Sequence, residues 1–139
     1  MIKKITDDLD QLKRNCALKN RHIIILFVDQ LSLKMSSLKD IDKKNDLIVM
    51  CETTDYFSLV PHHKIKIAYQ LSCMRHFYEQ LKKKGFRLEV TTITKKNNSQ
   101  ILHEELSTLI TKHNPQKIIF TEPSEWTTNE MIKSLKRKT

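Results

Sequence analysis

Glycine is almost missing from this chain: Gly85 is the only one in 139 residues. So few glycines leave no G-x-G-x-x-G turn and no Walker loop, and neither common phosphate cradle is present. Cysteine is scarce and odd in number. Cys16, Cys51 and Cys73 show no C-x-x-C spacing, which argues against a disulfide framework or a cysteine metal site and makes a reducing cytoplasm the default expectation. Long apolar runs are missing too. The longest, Ile23 to Val28, falls far short of the roughly 20 residues that cross a bilayer. The opening MIKKITDDLD lacks the apolar centre of a secretion signal. No membrane partner is expected.

What is abundant is lysine. The formal charge is +9, which invites a nucleic-acid reading. The lysines are spread over Lys3-Lys4, Lys43-Lys44, Lys64, Lys66, Lys82 to Lys84, Lys95-Lys96 and the C-terminal KRK. No aromatic residues alternate with them as stacking platforms would. A solvated basic surface is the preferred reading, with non-specific attraction to polyanions following from charge alone. The length suits one domain with a real core.

The chain is organised around Pro61 to Phe86. Ile67, Leu71, Met74, Tyr78 and Leu81 recur at steps of four and three, predicting a helix with one apolar face. Pro61 suits its first position, Lys82 to Lys84 suit its last turn, and Gly85 suits the residue just beyond it. Residues 1–20 read as a leading helix through Ile5, Leu9, Leu12 and Cys16. Residues 22–28, 47–52, 87–93 and 117–120 read as strands, the first two apolar enough to be covered on both faces. Between the first two, a short helical turn is expected near Ser36 to Leu38. A helix capped by Asn98 or Ser99 runs to the stop at Asn114-Pro115, and Thr127-x-x-Glu130 reads as a capping box for the last helix. Alternating strands and helices predict an α/β fold. It is a Rossmann-like parallel sheet of four or five strands with helices on both faces, over residues 21–139, plus the N-terminal helix.

In such sheets ligands bind beyond the carboxyl ends of the strands. There the sequence gathers Asp29, Gln30 and Ser32, then Cys51, Glu52 and Tyr56, then Thr121 to Glu125, with His62 and His63 at a helix start. Adjacent histidines on a helix point roughly 100° apart, so a capping role is preferred to a metal pair. Cys51 is read as a small buried hydrophobe before a nucleophile. Glu122 and Glu125 are read as caps, and Trp126 as packing.

Four segments in order carry a family resemblance: FVDQLS at 27–32, VMCE at 49–52, VPHHKIKIAYQLSCMRHF at 60–77 and TEPSEW at 121–126. Residues 22 to about 130 resemble the amino-terminal domain of photolyase-related proteins, the iron–sulfur bacterial cryptochromes and photolyases. The resemblance implies an antenna-type α/β domain carrying a lumazine- or flavin-like chromophore. In full-length relatives a helical domain with FAD and an iron–sulfur cluster follows and binds damaged DNA. The positions implied to face the antenna are Val28, Asp29, Cys51, Glu52, Tyr56, Leu59, His62, Ile67 and Gln70. Asp29 and Glu52 would hydrogen-bond the heterocycle or its ribityl chain. The resemblance would place glycine at Val28 and Ser124, glutamate at Tyr56 and tyrosine at Leu59. With three cysteines and one tryptophan, neither FAD nor the four-cysteine cluster is expected in this chain. The expectation is a stand-alone or truncated domain, non-catalytic by itself, partnered by a separately encoded FAD-binding helical domain or DNA. The alternative is a basic interaction module for nucleic acid or a protein, self-associating through its N-terminal helix. A third reading is a small enzyme that uses Cys51 with a histidine.

Overall fold

A computed structural model of the chain describes residues 21–138, with side chains through Leu135. The helix expected over residues 1–20 lies outside the described residues. Four strands form one parallel sheet: β1 (His22–Ile25), β2 (Leu47–Cys51), β3 (Leu88–Thr91) and β4 (Lys117–Phe120), in the order β3-β2-β1-β4. Around it lie α1 (Asp55–Ser58), α2 (Lys64–Lys83), α3 (Leu102–His113) and α4 (Trp126–Lys138), with a 3-10 turn at Ser36–Leu38.

The apolar strand sequences serve two cores. Successive side chains point to opposite faces, so Ile23, Ile25 and Val49 pack with Leu106 and Leu109 of α3 and Ile132 and Leu135 of α4. Ile24, Ile48 and Met50 pack on the other face with Met74, Phe77 and Leu81 of α2 and with Leu38. Helices therefore cover both faces, the doubly wound α/β arrangement that the alternation predicts. The first three strands are shorter than expected, and β4 spans the residues expected of it. β1 ends at Ile25 although Leu26 and Phe27 stay buried, because the chain turns there, Gln30 N–H reaching Phe27 O.

Helix α2 departs from expectation at its start and meets it at its end. It begins at Lys64, and His63 is the cap, its Nδ1 accepting the Ile65 N–H at 3.2 Å. Pro61 therefore lies before the helix. At the other end Gly85 has φ of +82°, Phe86 N–H reaches Leu81 O and Gly85 N–H reaches Lys82 O, the paired bonds of a Schellman stop. A Cβ at Gly85 would meet nothing within 4 Å, so Gly85→Ala should cost only the backbone strain of a left-handed alanine, about 1 kcal/mol. A urea midpoint lowered at unchanged slope is the expected result.

Two other caps are not where the sequence suggests. The first N–H of α3, from Leu102, is taken by Asp55 Oδ2 at 3.0 Å, from 47 residues upstream. Asn98 instead braces a loop, donating to Glu52 O and Thr92 O at 2.7 and 2.9 Å. Helix α4 begins at Trp126, so Thr127 stands inside the first turn, while Asn129 N–H reaches Glu125 O. Trp126 itself is 75% exposed and does not pack.

Candidate functional site

The strand order reverses beside β1, whose neighbours β2 and β4 are reached from opposite directions. The crevice of such a sheet opens beyond the carboxyl ends at that reversal. Here the loops after β1 and β4 are knitted to each other. Gln30 Nε2 donates to Thr121 O at 3.0 Å, and Ser124 Oγ donates to Asp29 Oδ2 at 2.9 Å. Thr121 Oγ1 also accepts the Ser37 N–H at 3.2 Å.

Open space lies to the side, between the loop after β1 and the first half of α2. This groove, about 300 Å³, is walled by Val28, Asp29, Ser32, Tyr69, Gln70 and Cys73. Residues 66, 69, 70 and 73 share one helix face by the i, i+3, i+4 rule, which aims Tyr69, Gln70 and Cys73 together. Gln70 Oε1 is shut off from water and has no hydrogen-bond partner. A hydrogen bond with Cys73 raises the Tyr69 phenol above its ordinary value.

The other predicted site residues occupy different places. Cys51, Glu52 and Tyr56, with Val28 again, line a second, partly open cavity of about 30 Å³, space for about one water and not for a ring. Leu59 is 65% exposed and lines a third, about 100 Å³, with Tyr56 and His103. His62 sets its ring edge-on to Phe57, centroids 6.4 Å apart. Ile67 is half-buried along α2 and lines none of the three. Val28 stands between the groove and the small cavity, lining both. The site expected as one hollow is thus divided, and Val28, Asp29 and Gln70 are the predicted residues that share the groove.

The chemistry of the small cavity is structural. Glu52 is fully buried, and Arg75 grips it with both arms, Nε to Oε1 and Nη2 to Oε2 at 2.9 Å each. Ile93 N–H adds a third bond to Oε2 at 3.0 Å. Both carboxylate oxygens are therefore engaged within the protein. The same contact raises the Arg75 guanidinium above its ordinary value. Arg75 does not stand out in the sequence, where only the need of a buried acid for a cation signals such a partner. Burial pushes the Cys51 thiol up to about 12, the hydrogen bond with Thr91 only partly opposing it. The attacking form of cysteine is the thiolate, so nothing in this environment supports a Cys51 nucleophile. Burial and then the hydrogen bond to Glu125, at 3.0 Å, push the Tyr56 phenol up to about 12. Among the described residues no three His, Cys, Asp or Glu side chains converge as a metal site, and no helix is long and apolar enough to cross a membrane.

A four-stranded parallel sheet covered by helices on both faces defines a Rossmann-like α/β domain. Residues 24–139 match the family model for deoxyribodipyrimidine photo-lyase-related proteins. Over 104 residues the chain is 40% identical to a (6-4) photolyase of Agrobacterium fabrum, covering 75% of this chain and 20% of that protein. The chain belongs to the deoxyribodipyrimidine photo-lyase-related protein family. It spans about a fifth of the length of that relative.

Proposed function

We propose that this chain serves as the antenna-type α/β domain of a photolyase-related protein, non-catalytic in itself, and that its groove takes a lumazine- or flavin-like ring. The observation that carries this reading is the groove of about 300 Å³ at the carboxyl end of the sheet, walled in part by Gln70, whose buried Oε1 has no hydrogen-bond partner. Buried polar atoms are nearly always satisfied, and a turn of the Gln70 amide toward the groove would let a ring N–H donate to it. The volume sits at the small end of the range for ligand pockets, roughly 300–1,000 Å³. Tyr69 offers an aromatic face at the rim, and Asp29 and Ser32 offer polar contacts for a ribityl chain. Leu59, Val60, Ile65 and Tyr69 are large apolar side chains left exposed around the same end of the sheet. They suit a covering partner, such as an FAD-binding helical domain.

Titration of the full chain with a lumazine and with riboflavin, read by quenching of the ring's fluorescence, should saturate for at least one of them. Gln70→Ala, which removes one buried acceptor, should weaken that binding roughly 5–100-fold. An absence of saturable quenching with either ring, in a sample whose unfolding is cooperative, would refute the ring-binding reading.

A further inference from the structure

The amino ends of the strands form the opposite pole of the molecule, and its chemistry is different. Three strands are entered through a cation, Arg87 before β3, Arg21 before β1 and Lys117 at the start of β4, and Lys43 and Lys44 lie in the turn that leads through Asn45 and Asp46 into β2. In the order β3-β2-β1-β4, with neighbours about 4.8 Å apart, these entries make a row about 14 Å long. Helix α2 ends at the same pole with Lys82, Lys83 and Lys84, all exposed.

The row is held in place by the fold. Arg87 Nη1 donates to Lys44 O at 3.0 Å, and Lys43 Nζ donates to Lys84 O at 2.8 Å while lying 4.7 Å above the Phe86 ring. Three of the acids nearby are already engaged, and Glu79 on α2 and Asp40 before β2 are the others at this end. Asp46 holds Arg21, Asp42 accepts from Lys44 N–H and Asn45 Nδ2, and Glu89 pairs with Lys112 and His113. Lys44, Lys82, Lys83, Lys84 and Lys117 have no carboxylate within salt-bridge distance among the described residues. The helix dipole accounts for cations in the last turn of α2. It does not account for the cations at the entries of three strands and in the turn before the fourth.

We infer that the amino pole of the sheet is a docking surface for the phosphate backbone of nucleic acid, without regard to base sequence. A row of flexible point charges on a fixed base suits phosphates, which are contacted for position and not for sequence. The carboxyl pole holds the exposed large apolar side chains, Leu59, Val60, Ile65, Tyr69 and Trp126 among them. A lipid surface wants cations and inserting apolar groups on one face, and here they stand at opposite poles. This inference is independent of ring binding.

The test is fluorescence anisotropy of a labelled mixed-sequence DNA duplex titrated with the full chain across a range of salt. The amino-pole variant K44A/K83A/K84A/K117A should bind at least about tenfold more weakly at low salt. Its plot of log affinity against log salt should flatten by about 0.9 for each phosphate no longer neutralised. The carboxyl-pole control K34A/K64A/K95A/K96A removes the same charge and should stay within about twofold of the parent, since a site and not bulk charge governs binding. All eight lysines are exposed, and unchanged urea midpoints will show that both variants fold. Equal weakening in the two variants, or no duplex binding by the parent, would overturn the proposal. So would anionic vesicles that bind more tightly than the duplex with the same dependence on the amino pole.

Discussion

Arg75→Ala is expected to destabilise the domain by about 3 kcal/mol, the lower end of the range for breaking a buried ion pair. The Glu52 side chain is wholly inaccessible, whereas that of Arg75 is 46% exposed, so water will enter the vacated space and recover part of the loss. What remains is a carboxylate in the core with the Ile93 N–H on one oxygen and no cation. Glu52→Gln keeps the shape and the bond from Ile93, and should cost less. The double variant should then cost less than the sum of the two single changes, because the charges are coupled. Urea unfolding of the four proteins measures this directly. A loss below about 1 kcal/mol for Arg75→Ala would show that solvent replaces the guanidinium, and that the pair does not hold the end of β2 to α2.

Asp46→Ala should be nearly as costly, about 2–3 kcal/mol, for its carboxylate closes the amino end of the sheet with charge-assisted hydrogen bonds. Oδ1 and Oδ2 accept from Arg21 at 3.1 and 3.0 Å, and Oδ2 also accepts the Asp42 N–H at 2.8 Å. Burial pushes this carboxyl up, but the Arg21 hydrogen bond, the Asp42 N–H and the charges of Arg21 and His22 outweigh it and hold it below 3.8, its ordinary value. The unfolded chain therefore takes up the proton first as pH falls. Stability from Asp46 is fully present above the ordinary value and drains away as pH drops through the lowered one. Glu89 follows the same sign, the Lys112 and His113 contacts overcoming the upward push of burial. Unfolding free energies between about pH 5 and pH 2 should fall steeply for the parent and less steeply for Asp46→Asn, Glu89 and Asp42, the latter held low first by its Asn45 hydrogen bond, contributing to the remaining slope. An identical slope in both would show that Asp46 does not titrate with folding.

The likeness of the central helix to its prediction shows where sequence reading is strong. The apolar stripe from Ile67 to Leu81 and the glycine after Lys84 are local features, and a helix of 20 residues repeats its signal often enough to be read. The strands are legible for the same reason, as β-branched runs such as HIIILFV admit few other structures. The starts of α3 and α4 are not. Asp55 caps α3 from 47 residues away, and no window of neighbouring sequence contains that information. Trp126 reads as packing because large apolar residues are mostly buried, yet the helix that carries it begins at the tip of a loop.

The sequence by itself determined the layered α/β fold, the family and the end of the sheet at which a ligand would be sought, because strand and helix periods and long motifs are properties of contiguous residues. Only the tertiary structure decided that Glu52 belongs to Arg75, that Val28 parts one hollow from another, and that Gln70 keeps an unpartnered oxygen. It also decided that Lys44, Lys82 to Lys84 and Lys117, far apart along the chain, meet at one pole. Those outcomes depend on which side chains the crossovers bring face to face, and distances across a fold are set by packing, not by spacing along the chain.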